Sequence, residues 1–290
     1  KLSLGLSKLL TGEQLTIVVN TGDDENFYGL HVSPDLDTMI YTLAEVVNPK
    51  TGWGIKNDTF SLLNQLNKYH EQTWFNLGDK DLATHIHRTN LIESGHSLTE
   101  ISLKLCQDFG VRHKIVPMTD HRVRTILETN VGTLRFQEYF VEHKCEPEVE
   151  SIRFDGADIA MPSKPFMESL TLSNALIYCP SNPYLSIDPI LAVSGVEEMI
   201  RNFKGPRIAI SPIVGDSALR GPAAKIMVEF GIEPSCVNVA KKFQGICDIF
   251  VIDESDKHHV NTIRSLGFQV ETFNTIMLSN EDKIDLARRI

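Results

Sequence analysis

No C-x-x-C pair occurs in this chain, and its five cysteines (Cys106, Cys145, Cys179, Cys236 and Cys247) are odd in number and widely spaced. That usage supports neither a disulfide framework nor a zinc knuckle; reduced thiols in a cytoplasmic protein are the expectation. Long apolar runs are missing too. Stretches such as Thr16 to Val19 and Ile249 to Ile252 fall far short of the ~18 residues that a spanning helix needs. Basic runs are absent, and 28 Lys and Arg against 38 Asp and Glu leave a formal net charge of -10. Phosphate-backbone affinity comes from clustered Lys and Arg, so a nucleic-acid grip is excluded along with a membrane anchor. The chain has no signal peptide, no internal repeat and no low-complexity linker. It begins with Lys1 in place of Met, and a few preceding residues are expected to be missing from it.

What is present is an ordinary globular composition, 290 residues with 42% hydrophobic, enough for one large core or two modest ones. Strands and helices alternate, the pattern of a mainly parallel sheet with helices on its faces. Gln14 to Asn20 reads as a first strand, and Leu36 to Val47 as an amphipathic helix on Leu36, Met39, Ile40, Leu43, Val46 and Val47. Helices are expected at Asp58 to Leu66, Asp81 to Ile92 and Leu98 to Phe109, with Asp58, Asp79 or Asp81, and Ser97 as N-caps. His113 to Met118, Arg124 to Thr129, Thr133 to Phe140 and Val149 to Phe154 read as short antiparallel strands of a subregion of about 116–170. Alternation then resumes to the end, and the two βα-rich parts are expected to share one sheet. The expected class is therefore a Rossmann-like three-layer α/β/α domain over 1–290, its core 1–115 and 171–290.

Ligands of open α/β sheets sit beyond the carboxyl ends of the strands, and four loops there carry polar chemistry. Asn20-Thr21-Gly22-Asp23-Asp24 can offer amides and hydroxyls to an anion, its two Asp residues needing a cation to do so; by itself it also reads as a turn. Asp35 and Asp37 in Ser33-Pro34-Asp35-Leu36-Asp37-Thr38 either cap a helix or share a divalent cation with substrate phosphate. Pro180-Ser181-Asn182-Pro183 is a stiffened ligand-contact loop. Ser211-Pro212-Ile213-Val214-Gly215, followed by Gly221-Pro222-Ala223-Ala224-Lys225, runs into a helix start that suits an anion, with Lys225 one turn in. His85 and His87 are two apart and fall on different helix faces, so they read as surface or single-contact residues. Trp53, Trp74, Phe60 and Phe75 read as core.

In that order, and together with Gly52-Trp53-Gly54 and Leu77-Gly78-Asp79-Lys80-Asp81, these motifs closely resemble the 2-phospho-L-lactate transferases of coenzyme F420 biosynthesis, the CofD/FbiA family, over the whole chain. The resemblance implies transfer of a phospho-acyl unit, phospholactate or phosphoenolpyruvate, from a guanosine-diphosphate-linked donor to the ribityl hydroxyl of the deazaflavin Fo, with GMP released. It also implies Mg²⁺ as cofactor and a homodimer. Family members open on a G-G-x-G segment that this chain lacks, followed by a Lys or Arg that Lys1 matches. Asp35 and Asp37 correspond to the acidic pair near metal and Fo; the often basic residue before L-G-D, which approaches Fo, is Asn76 here. Asp37 is the expected guide or proton acceptor for the hydroxyl. Asn20, Thr21, Ser181, Asn182, Ser211, Gly221 and Lys225 are expected to hold phosphate and guanosine, and His85, Arg88, Thr89 and Asn90 the donor's acid end or the acceptor. The contrasting expectations are a nucleotide- or nucleotide-sugar-binding regulator of the YvcK type and a metal-dependent phosphohydrolase.

Overall fold

In a computed structural model describing residues 1–69, 73–215, 217–218 and 221–290, the chain is a mixed α/β protein built on parallel strands. In chain order the first part holds α1 (Leu2–Leu9), β1 (Thr16–Val19), β2 (Glu25–Phe27), β3 (Leu30–Val32), α2 (Pro34–Leu43), α3 (Ser61–Lys68), α4 (Asp79–Glu93), α5 (Leu98–Asp108) and β4 (Lys114–Pro117). Next come β5 (Arg124–Thr129), β6 (Gly132–Arg135), β7 (Val149–Asp155) and α6 (Lys164–Leu172). The remainder holds β8 (Leu176–Tyr178), α7 (Asp188–Ala192), α8 (Val196–Arg201), β9 (Arg207–Ile210), β10 (Ile213–Val214), β11 (Ser217–Ala218), α9 (Ala223–Glu229), α10 (Cys236–Lys242), β12 (Ile249–Asp253), α11 (Val260–Ser265), β13 (Gln269–Phe273) and α12 (Asn280–Arg289).

The strand from His113 is not antiparallel as its surroundings suggested. β4 lies parallel to β1, Thr16 opposite Lys114, because α2 to α5 form a crossover that returns the chain in the same direction. Nor do the two parts share one ladder among the described residues: β1–β4 is one parallel pair, and β8, β9, β12 and β13 form a separate parallel sheet in the order β13-β12-β9-β8. The antiparallel meander pairs as expected, β5 flanked by β6 and β7, but the strand expected to run to Phe140 stops at Arg135 and Glu138–Glu142 turns helical. Leu127 and Val149 of that meander pack into the same core as Ala209, Phe250 and Ile252 of the parallel sheet. No helix of the described residues is long and apolar enough to cross a membrane.

Helix α2 positions the site. Its Leu36, Ile40 and Tyr41 are almost wholly buried against Ile17, Val19, Ile101, Leu105 and Ile115. It stops four residues before Val47, since Glu45 adopts φ +59° and the amides of Val46 and Val47 both fold back onto the carbonyl of Tyr41. Ser97 caps α5 in a full capping box with Glu100. The expected caps Asp58 and Asp79 trade places: Asp58 accepts from the amides of Lys80 and Asp81 at the start of α4, and Asp79 from those of Ser61 and Leu62 at the start of α3. Gly78 is fixed by this exchange, for a Cβ there would lie 2.2 Å from Asp58 Oδ2.

Candidate active site

Loop 20–24 after β1 is drawn inward rather than left as a surface turn. Asn20, Thr21, Asp23 and Asp24 are all buried, and Asn20 Oδ1 accepts from the amide of Gly22 at 2.8 Å. Gly22 has no room for a side chain: its Cβ would meet Thr125 Oγ1 at 2.7 Å and Pro189 Cβ at 3.3 Å. Asn20 Nδ2 reaches both Asp35 Oδ2 and the carbonyl of Leu185, each at 3.4 Å. Three segments far apart in sequence therefore meet here: the loop after β1, the start of α2, and the turn Pro183–Ile187, which Asn182 caps through the amides of Tyr184 and Leu185.

Three carboxylates crowd this junction. Burial first, then the charge of Asp35, pushes the Asp23 carboxyl well above the usual carboxylate range, against a partial offset from Asn20 and Thr125. Burial and then Asp24 raise Asp35 from 3.8 to about 6. Asp24 Oδ2 accepts from Ser33 Oγ at 2.7 Å and sits 3.1 Å from His31 Nε2. Asp23 Oδ1, Asp24 Oδ1 and Thr21 Oγ1 are buried without any partner, and unsatisfied buried oxygens of this kind call for a cation or a bound ligand. Among the described residues no three His, Cys, Asp or Glu side chains make a complete metal cage. The donor set thus fits a hard cation such as Mg²⁺, which takes one or two carboxylates and completes its shell with water and substrate phosphate.

Asp35 and Asp37 do not act as a pair. At ~100° per residue, positions two apart on a helix point ~200° apart, and Asp37 faces the opposite way, into the protein. Both its oxygens are taken by the guanidinium of Arg88, one at 3.0 Å and the other closer still. Burial opposes the Arg88 charge, but Asp37 outweighs it and holds the guanidinium above its usual value. His85 is buried, not superficial: Nδ1 lies 3.2 Å from Arg88 and 3.6 Å from Asp37, while Nε2 stands 3.3 Å from Asp81 Oδ1. Tyr41 donates to that same Asp81 oxygen at 2.8 Å. Asp81, His85 and Arg88 follow i, i+4, i+7 on α4 and face Asp37 and Tyr41, i and i+4 on α2, a spacing that was open to reading in the sequence. Thr89 joins the seam by accepting from the amide of His31, and Arg88 reaches the carbonyl of His31 at 3.4 Å.

Other expected site residues are engaged elsewhere. Lys225 is bound by Glu229 and the carbonyl of Pro147, so its charge is spent away from the loop it follows. Ser211 closes its own turn with Ile213. Lys1 donates to the carbonyl of Met277 at 3.0 Å. Asn76, Asn90 and Gly221 are exposed. Of the aromatics, Trp74 and Phe75 pack with Phe27 as expected of core. Trp53 and Phe60 do not: 50% and 43% exposed, they line a cavity of about 280 Å³ whose wall also includes Lys50, Lys56, Gly78 and Asp81. A Pro- and Gly-containing loop holds Trp53 at the surface, against the core expected of an aromatic residue.

The profile of the family described as 2-phospho-L-lactate transferase CofD matches residues 1–277. The 2-phospho-L-lactate transferase of Methanosarcina mazei is 38% identical over 287 residues, covering 99% of this chain and 94% of that protein. The chain belongs to the CofD family. Its relatives there include the 2-phospho-L-lactate transferase of Methanocaldococcus jannaschii, 36% identical over 100% of this chain and 93% of that one, and the phosphoenolpyruvate transferase of Streptomyces coelicolor, 35% identical over 98% and 91%. A solved structure from Bacillus halodurans, a UPF0052 family member, shares the fold with a TM-score of 0.60 at 16% identity, covering 98% of this chain and 94% of that one. This CofD-family chain is accordingly a transferase.

The acid cluster makes a pH-dependent stability. Asp35 titrates at about 6 in the folded protein against 3.8 ordinarily, so the native state holds a proton the unfolded chain has already lost. Stability then falls as pH rises from about 4 through 6, by up to about 3 kcal/mol for Asp35 at 1.36 kcal/mol per unit, with Asp23 acting in the same direction. Urea unfolding without divalent cation should show the wild type losing stability between pH 4 and pH 7.5 relative to Asp35→Asn, and Mg²⁺ recovering it. A wild type that gains on Asp35→Asn over that interval would contradict the cluster electrostatics.

Proposed function

We propose that this transferase moves a phospho-acyl unit, 2-phospholactate or phosphoenolpyruvate, from a guanosine-diphosphate-linked donor to the ribityl hydroxyl of the deazaflavin Fo, releasing GMP, in coenzyme F420 biosynthesis. The observation that carries the reading is the cluster of Asp23, Asp24 and Asp35 beyond the carboxyl end of β1, in which Asp23 Oδ1 and Asp24 Oδ1 are buried without a partner. Such a site repels a diphosphate unless a divalent cation joins the two. Relatives named for each donor are 38% and 35% identical to this chain, so the phospho-acid is chosen by assay.

In this reading Asp23 and Asp24 would hold Mg²⁺, and the ion would supply neutralisation of the diphosphate. Asp35, half-buried and poised near neutrality, accepts the proton of the attacking hydroxyl. The hydroxyl oxygen forms a bond to the phosphorus that carries the acid; the bond from that phosphorus to the bridging oxygen breaks, and GMP leaves with the electron pair. There is little covalent work for the protein in such a displacement, which makes positioning and charge the main contributions. Asp37 drops out as a base because both its oxygens are held by Arg88.

The cavity under Trp53 and Phe60 suits the flat acceptor ring, since exposed aromatics offer stacking faces. Its wall includes Asp81, which accepts from Tyr41, and Tyr41 stands about 9 Å along α2 from Asp35 at 1.5 Å per residue. Trp53→Ala should raise KM for Fo about tenfold and leave kcat within about twofold, as loss of ~1.4 kcal/mol of uniform binding requires; an unchanged KM would place the ring elsewhere.

The test of the activity is incubation with Fo, Mg²⁺ and guanylylated donors. GMP release coupled to a more anionic fluorescent deazaflavin supports the transfer. Binding without turnover would favour a regulator, and phosphate release without Fo a hydrolase.

A further inference from the structure

The donor is anionic at its diphosphate and at its carboxylate, yet the positive groups around the acid trio are nearly all committed. Arg88 serves Asp37, Arg135 pairs with Glu25 at 3.1 Å, and Arg153 pairs with Asp155. Arg124 differs. It opens β5, where the next residue, Thr125, donates its amide to the carbonyl of Gly22 at 2.7 Å and so ties this strand to the loop after β1. Its side chain is only 9% exposed. Nevertheless its one hydrogen bond among the described residues runs to the neighbouring carbonyl of Val123, at 2.7 Å, and its Nε is buried with no partner.

Asp24 attracts this charge more strongly than any other neighbour, yet among the described residues no carboxylate hydrogen-bonds the guanidinium. Asp155 stands opposite Arg124 in the β5–β7 register but is held by Arg153. Glu25 is held by Arg135, and Asp24 Oδ2 by Ser33 and His31. Burial, and after it the like charge of Arg122, pulls the guanidinium below its usual value, with only Asp24 and Glu25 acting the other way. A guanidinium keeps its charge in proteins, so a buried one without a bound carboxylate is a site for an anion from outside.

We propose that Arg124 is the anchor for the carboxylate of the phospho-acid being transferred, and that it thereby sets the enzyme's preference for acid donors. The inference rests on the reading of the substrate as a phospho-acid donor. The fork of Arg124 presents parallel N–H groups matched to a planar carboxylate, and a buried polar group left unpaired by an analogue lacking that carboxylate discriminates strongly against it.

The experiment compares a guanylylated phospho-acid donor with its neutral carboxamide analogue, using the full chain with Mg²⁺ and Fo. Wild type should prefer the acid by about 100-fold or more in kcat/KM. R124Q should lower that preference to under about tenfold, through loss on the acid donor alone, and R124K should fall between. Equal loss on both donors, or a preference left intact, would overturn the assignment. Two readouts stand apart from turnover. Titration calorimetry with free phosphoenolpyruvate and free 2-phospholactate should show binding to wild type that R124Q weakens at least tenfold. R124Q should also melt no lower than wild type, because it removes an uncompensated buried charge. Absence of turnover in wild type with every donor would sink the transferase reading, and the anchor would then be judged on these two. A lower melting temperature for R124Q, undiminished binding, or no binding of either acid to wild type would each overturn it.

Discussion

Replacing Arg88 with Met will destabilise the protein by about 3 to 5 kcal/mol, the cost of leaving one member of a buried ion pair without its partner. Arg88 is 1% exposed and Asp37 4%, so water cannot take over from the lost guanidinium. Asp37→Asn should cost a comparable amount from the other side. The double variant Arg88→Met/Asp37→Leu should recover most of the loss, since paired removal leaves no orphaned charge. Thermal and urea unfolding of the three variants checks this, with a fall in melting temperature on the order of 10 °C for each single change at this chain length. Were Asp37→Asn to keep full stability while losing turnover, the residue would be a proton acceptor and the seam between α2 and α4 would have been misassigned.

Asp35→Asn should do the opposite. Turnover should fall by about 10²- to 10⁴-fold, the usual contribution of a general base, while the metal-free protein at pH 7.5 becomes more stable by up to about 3 kcal/mol. The gain follows from removing a charge that burial and Asp24 hold at about 6. Catalytic acids kept at a cost to stability are a recurrent pattern, and opposite signs in the two assays distinguish it from misfolding. Turnover above about a tenth of wild type would shift the proton-accepting role away from Asp35.

Much of the architecture was legible because one face or both faces of an element speak in its residues. β5 was bounded at Arg124 and Thr129, and the start of α5 was placed by Ser97 as its N-cap. The parallel direction of β4 was not legible, since its residues are apolar in either direction and its sense is set by the helical crossover from α2 to α5, not by the strand itself. At the site, the polar loop after β1 and the opening of α2 stood out by composition. Their partnership did not: Asp35 and Asp37 look like a pair in the sequence, but helix rotation sends one to Asn20 and the other to Arg88. His85 was weighed against His87, two places away, when its true neighbours were at four and three. Arg124 carried no sequence signal at all. Its meaning comes from what does not contact it, and absence of a partner is a three-dimensional property.

The exchanged caps of Asp58 and Asp79 give the wall of the cavity at Trp53 and Phe60 a latch. Each acid closes the other's helix, so neither α3 nor α4 finishes its first turn alone, and Phe60 on one side of the cavity is registered against Gly78 and Asp81 on the other. Changes in the intervening segment can be absorbed as long as both ends of the latch meet. A loss of either aspartate would instead uncap the other's helix and loosen the wall between Phe60 and Asp81.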